Sequence, residues 1–166
     1  MSVVLCGFMG CGKSTVGKII AGRLGMSFVD TDSLIEKREN RAIKDIFAED
    51  GEAYFRDKEH EICCELSDSD GYIIAVGGGA LTFDRNAAAF KSKAKIIFID
   101  VDFGTIVKRV GNDKGRPLMN DNAKELYDKR LPLYNANCDC KISVCGDVPA
   151  DEVANQIIKY YINGDK

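Results

Sequence analysis

Near its start the chain runs Gly7-Phe8-Met9-Gly10-Cys11-Gly12-Lys13-Ser14, which has the spacing Gly-x-x-x-x-Gly-Lys-Ser. Few short stretches restrict a fold so much, because this phosphate-binding loop needs a strand before it and a helix after it. The sequence supplies both. Val3, Val4 and Leu5 form a short apolar run of the kind a buried strand shows. From Thr15 to Leu24, residues Val16, Ile20 and Leu24 recur four apart, on one helix face. The glycines between leave backbone N–H groups open to a phosphate chain at the positive end of that helix. Lys13 adds a cation for the β- and γ-phosphates, and the Ser14 hydroxyl suits a Mg²⁺ site. A nucleotide-binding protein is expected.

A chain of 166 residues predicts one domain with a real core. Its net charge of −3 offers no surface for nucleic acid or an anionic membrane, so a few local Arg and Lys residues must hold any anionic ligand. The first strand begins almost at once, leaving no room for a signal or transit peptide, and no apolar run is long enough to span a bilayer. A cytoplasmic protein is expected. The seven cysteines are odd in number, their spacings are not those of zinc sites, and only one His could join them. They read as reduced thiols that act as small apolar residues.

Ser27-Phe28-Val29 reads as a second strand that delivers Asp30-Thr31-Asp32 at its C-terminal end, where open parallel sheets place their ligands. Asp30 is a candidate to orient Mg²⁺-bound water, and Asp32 a candidate to face the group to be phosphorylated. Either could instead cap the helix that starts near Ser33. Residues 33 to 67 read as helices, broken near Gly51. Phe55, Ile62 and Leu66 form an apolar face there, and Arg56 with Glu59 has the spacing of a surface salt bridge. His60 is given no role.

Tyr72 to Val76 reads as a central buried strand ending in Gly77-Gly78-Gly79, more glycine than a plain turn needs, so a ligand is expected close to its backbone. No acidic residue ends this strand, which puts more weight on Asp30 for the metal. Residues 95 to 99 read as a strand and 103 to 110 as a helix. The polar, glycine-flanked stretch 111 to 117 follows, with Arg116 placed to fold over phosphates. Residues 123 to 131 read as a helix soon ended by Pro132, residues 141 to 144 as a last strand, and Pro149 opens a last helix. Five strands alternating with helices predict an α/β fold with a parallel sheet covered on both faces.

Taken in order, these pieces resemble the shikimate kinases, small P-loop kinases of aromatic amino-acid biosynthesis. The match spans the chain: Gly7-Phe8-Met9-Gly10-x-Gly12-Lys13-Ser14-Thr15, Asp30-x-Asp32, Phe55-Arg56, Gly77-Gly78-Gly79, Arg109, Arg116-Pro117-Leu118 and Arg130-x-Pro132-Leu133-Tyr134. The resemblance implies a P-loop NTPase-type three-layer fold with strand order 2-3-1-4-5. The whole of 1–166 would be one kinase domain, with a substrate-binding helical region at about 32–67 and a lid at about 111–122. It implies ATP-dependent phosphorylation of the 3-hydroxyl of shikimate with Mg²⁺ as cofactor, by a monomer with no nucleic-acid or membrane partner.

Carried onto matching positions, the resemblance makes Lys13, Asp32 and Arg116 catalytic, with Ser14 and Asp30 at the metal. Gly10, Cys11, Gly12, Lys13, Ser14, Thr15, Arg109, Arg116 and Pro149 would bind ATP. Asp32, Arg56, Gly78, Gly79 and Arg130 would bind shikimate, the two arginines taking its carboxylate. Cys11 would be either a reactive thiol at the loop or filler turned away from the phosphates. Two alternatives remain, a P-loop kinase for a nucleoside monophosphate or gluconate, and a nucleotide-binding switch without turnover. The glycine triplet and Phe55-Arg56 favour the shikimate pattern over the first, and no lost catalytic residue supports the second.

Overall fold

In a computed structural model of the chain, residues 1–111 and 122–164 are described. The strands are β1 Ser2–Cys6, β2 Ser27–Asp30, β3 Tyr72–Ala75, β4 Ala94–Val101 and β5 Cys140–Val144. They form one parallel sheet in the order β2-β3-β1-β4-β5. The helices are α1 Lys13–Leu24, α2 Thr31–Glu39, α3 Ile43–Glu49, α4 Gly51–Ser67, α5 Asp84–Phe90, α6 Phe103–Gly111, α7 Ala123–Asn137 and α8 Ala150–Asn163.

Helices cover the two faces of the sheet, as the strand register shows. A Cβ on Gly17 of α1 would lie 3.3 Å from Leu5 Cδ1, so Leu5 faces α1. Leu5 pairs with Ile97, which faces the same way. The next residue, Phe98, therefore points to the other face, where its ring meets Tyr134 of α7 at 5.1 Å. Cover on both faces explains why every residue of β1 is buried and why β3 and β4 are near-continuous apolar runs. Each such Val, Ile, Leu or Phe side chain contributes about 1.5–3 kcal/mol by leaving water.

Three features differ from the sequence expectations. Pro132 does not end α7, which continues to Asn137. The proline removes one helix hydrogen bond. Beyond it, Tyr134 is buried and donates to the Gly78 carbonyl, and Asn137 Nδ2 donates to Leu81 O at 2.9 Å. This packing outweighs the lost bond. A 3₁₀ turn at Ala80–Thr82 and helix α5 fill the stretch after the glycine triplet, where the sequence pattern had shown no element. The pair Arg56–Glu59 does not lie on the surface: the Glu59 side chain is 1% exposed. Among the described residues no helix is long and apolar enough to cross a membrane.

Candidate active site

Two neighbouring helix starts, treated differently, define the nucleotide end of the site. Helix α1 begins at Gly12, whose φ of 96° only glycine adopts easily. No side chain caps it, and no acidic residue stands in its first turn. Its N–H groups and positive dipole end are thus left for an anion. Gly10, with φ 78°, turns the loop above them. Lys13 Nζ reaches back to the carbonyls of Gly7 and Phe8, at 2.9 and 3.1 Å, which holds its ammonium inside the loop. Thr15 is exposed on the first turn. The Cys11 thiol is buried, 3.7 Å from Lys13 Nζ.

Helix α2, by contrast, is capped by Asp30, whose Oδ1 accepts from the backbone N–H groups of Asp32 and Ser33 at 3.1 and 3.3 Å. Its second oxygen, Oδ2, accepts from Ser14 Oγ at 2.6 Å. A cap and a metal role are thus compatible in one carboxylate, because Oδ1 serves the cap and Oδ2 meets Ser14. A hydroxyl and a carboxylate at the start of α1 are hard oxygen donors suited to Mg²⁺, which needs few protein ligands when phosphate and water complete its shell.

The pairing of Asp30 with Ala75 brings the ends of β2 and β3 level. Thr31 Oγ1 then accepts from Gly77 N–H at 3.0 Å, and the Asp32 carboxylate stands against Gly77, where any Cβ would strike Oδ1. Asp32 Oδ1 is buried and has no hydrogen-bond partner among the described residues. An acceptor buried without a donor is costly, which makes this atom a candidate to receive one from a ligand. Burial, and next the charge of Asp30, push the Asp32 pKa above the usual aspartate value, and Lys13 opposes them.

The glycine triplet lies beside Asp32. A Cβ on Gly79 would lie 3.1 Å from Arg56 Nη1, 3.2 Å from Arg56 Nη2 and 3.1 Å from Arg130 Nη2. Two guanidinium groups therefore converge where a side chain is missing. Arg130 donates to Gly78 O at 3.2 Å, and the same carbonyl takes the Tyr134 hydroxyl. Arg56 is fixed by Glu59 at 3.1 Å and Glu52 at 3.0 Å. Glu59 is pushed above the usual carboxylate range chiefly by burial, with Arg56 pulling it down. Its place was legible: Phe55, Glu59, Ile62 and Leu66 fall on one face of α4 and all are buried. An acid inside an apolar stripe beside an Arg signals a buried pair.

Arg109 is on α6, where its Nη2 meets Val148 O at 3.4 Å next to Pro149, the residue that opens α8. The expected adenine-side residues therefore adjoin each other. Arg116 lies outside the described residues, as does most of the expected lid.

The family model described as shikimate kinase matches residues 9–161. A shikimate kinase of Persephonella marina is 41% identical over 160 residues, covering 95% of this chain and 96% of its own. One of Aquifex aeolicus is 36% identical over 161 residues, covering 95% and 94%. Among solved structures, a shikimate kinase from Acinetobacter baumannii in complex with shikimate superimposes with a TM-score of 0.91 at 31% identity, over 99% of this chain and 95% of that one. The chain belongs to the shikimate kinase family.

Proposed function

We propose that the residues described above divide the work of the family reaction, in which the γ-phosphoryl group of ATP passes to the 3-hydroxyl of shikimate. The observation that carries this division is the convergence of Arg56 and Arg130 on Gly79, beside the unpartnered Asp32 Oδ1. Two guanidinium forks match a small carboxylate, which each binds through paired N–H donors. With its carboxylate held there, a cyclic polyol presents hydroxyls to Asp32. ATP lies with its phosphates on the uncapped start of α1, within Gly10, Cys11, Gly12, Lys13, Ser14 and Thr15. Its base lies toward Arg109 and Pro149.

The attacking hydroxyl donates its hydrogen to Asp32 Oδ1. Its oxygen forms a bond to the γ-phosphorus as the bond to the β-bridging oxygen breaks, and ADP leaves with that electron pair. A raised pKa suits Asp32 to this role, since a proton acceptor works best near the ambient pH. Lys13 offsets charge on the transferring group, and Arg116 is assigned the same task. Ser14 and Asp30 would hold Mg²⁺, which would supply positive charge to offset that of the phosphates. Gly78 and Gly79 admit the ring close to the backbone. All these residues belong to one chain, and we read the enzyme as a cytoplasmic monomer of one domain, with residues 32–67 as its substrate-binding region.

Shikimate and its carboxamide, compared as acceptors, test the carboxylate reading. The wild type should strongly prefer the acid, and Arg56→Ala and Arg130→Ala should each discriminate less. Each lost charge-assisted contact should cost about 1.5–3 kcal/mol toward the acid. Equal losses on acid and amide would contradict it.

A further inference from the structure

Arg56 is held by more than its own helix. The segment from Phe83 to Asn86, after the Ala80–Thr82 turn, touches it or its immediate supports at three places. The half-exposed Phe83 ring lies 5.0 Å from the Arg56 guanidinium, which also lies 5.1 Å from Phe55. Arg85 Nη2 donates to the Arg56 backbone carbonyl at 2.7 Å, and Arg85 pairs with Asp57 at 2.9 Å. Asn86, 1% exposed, donates from Nδ2 to Ala80 O at 2.9 Å and to Glu59 Oε2 at 3.5 Å. Its Oδ1 faces His60 Nδ1 at 2.8 Å, an arrangement that turns the amide nitrogen toward Glu59.

We propose that Phe83 and Asn86 are positioning residues for Arg56, Phe83 fixing the plane of its guanidinium and Asn86 orienting the Glu59 carboxylate that holds it. The proposal rests on the reading that Arg56 binds the substrate carboxylate. A guanidinium that Glu59 and Glu52 already hold by its nitrogens can still tilt about those bonds. Two aromatic rings at 5.0 and 5.1 Å restrain that tilt, so the N–H bonds left for the substrate keep one direction. Glu59, buried, needs a donor besides Arg56 to keep its oxygens from turning, and Asn86 supplies it from α5. The contacts also explain why the triplet runs directly into the Ala80–Thr82 turn: that geometry returns residues 83 to 86 to α4.

The test is a comparison of KM for shikimate, KM for ATP and kcat in the wild type, Phe83→Ala, Phe83→Tyr, Asn86→Asp, Arg56→Ala and the double variant Phe83→Ala/Arg56→Ala. Phe83→Ala should raise KM for shikimate about 5-fold with KM for ATP unchanged, and Phe83→Tyr, which keeps the ring, should restore it. Asn86→Asp, which sets a second carboxyl against Glu59, should raise KM for shikimate roughly tenfold. In the Arg56→Ala background, Phe83→Ala should add nothing. If Asn86→Asp fails to fold, Phe83→Ala at its half-exposed site and the double variant decide the matter alone. An unchanged KM for shikimate in Phe83→Ala, alongside a raised one in Arg56→Ala, overturns the positioning role. So does an effect of Phe83→Ala that persists in full without Arg56. An unchanged KM for shikimate in Arg56→Ala would instead remove the carboxylate reading, and this proposal with it.

Discussion

Asp32 and Asp30, two residues apart, differ in what their oxygens meet. Asp32 Oδ1 is buried without a partner, and the carboxylate titrates above the ordinary aspartate value. A folded-state pKa raised above the unfolded one means that the charged form costs stability. That cost is absent below the unfolded pKa and full above the folded pKa. Asp32→Asn should therefore raise the melting temperature of the ligand-free protein near neutral pH, with the gain vanishing as the pH falls below the usual aspartate range. The same change should lower kcat by ~10²–10⁴-fold. Thermal scans across pH and steady-state rates check both. A destabilised variant, or one that keeps most of its turnover, would remove the role assigned to Asp32. Asp30 separates along another line. Asn caps a helix as well as Asp does, so Asp30→Asn should leave stability nearly unchanged while raising the Mg²⁺ concentration needed for activity. Asp30→Ala should also lose about 1 kcal/mol of stability, read by denaturant unfolding. Equal Mg²⁺ requirements in wild type and Asp30→Asn would leave Asp30 as a cap alone.

Among elements, the glycine-terminated end of β3 and helix α4 carry the proposed substrate site. Gly79 has φ −106°, an ordinary backbone angle, so it is glycine for space and not for conformation. Gly79→Ala should therefore change melting temperature little, because the atoms it crowds are guanidinium ends, and a small local shift relieves contacts of 3.1–3.2 Å. Binding of shikimate, followed by titration calorimetry, should weaken by at least tenfold while ADP binding is kept. An unfolded variant or unchanged affinity would show that Gly79 serves another purpose. The strands and the P-loop were legible because buried parallel strands are continuous apolar runs and the loop needs glycines at fixed spacing. The triplet was legible as a close approach, but not what approaches: the atoms nearest Gly77 and Gly79 belong to Asp32, Glu59, Arg56 and Arg130. Glu59 was missed because i,i+3 spacing alone suggests a surface pair, although its place among Phe55, Ile62 and Leu66 marks a buried one. Asn86 and the Tyr134 hydroxyl were not legible at all. Their partners, Glu59 and the Gly78 carbonyl, lie 27 and 56 residues away, and no local pattern encodes them.

At the scale of the whole molecule, one sheet sets the order of events. The ends of β1, β2 and β3 carry the P-loop, the two aspartates and the glycine triplet side by side, and it is there, across the middle of the sheet, that we propose ATP and acceptor meet. Helices α4 and α7 bring one arginine each to Gly79, and Arg109 of α6 meets Val148, next to the start of α8, where we propose the base lies. The chain is a kinase built around a small carboxylate acceptor, and the acceptor's identity is its central claim. The measurement that bears on it most directly is ADP release by the purified chain with MgATP, offered shikimate, a nucleoside monophosphate or gluconate, with ³¹P–¹H NMR of the product. ADP release should depend on shikimate, and the new phosphorus should couple to the proton on C3. ADP release without shikimate, faster turnover on either other acceptor, or phosphate on another hydroxyl would contradict it.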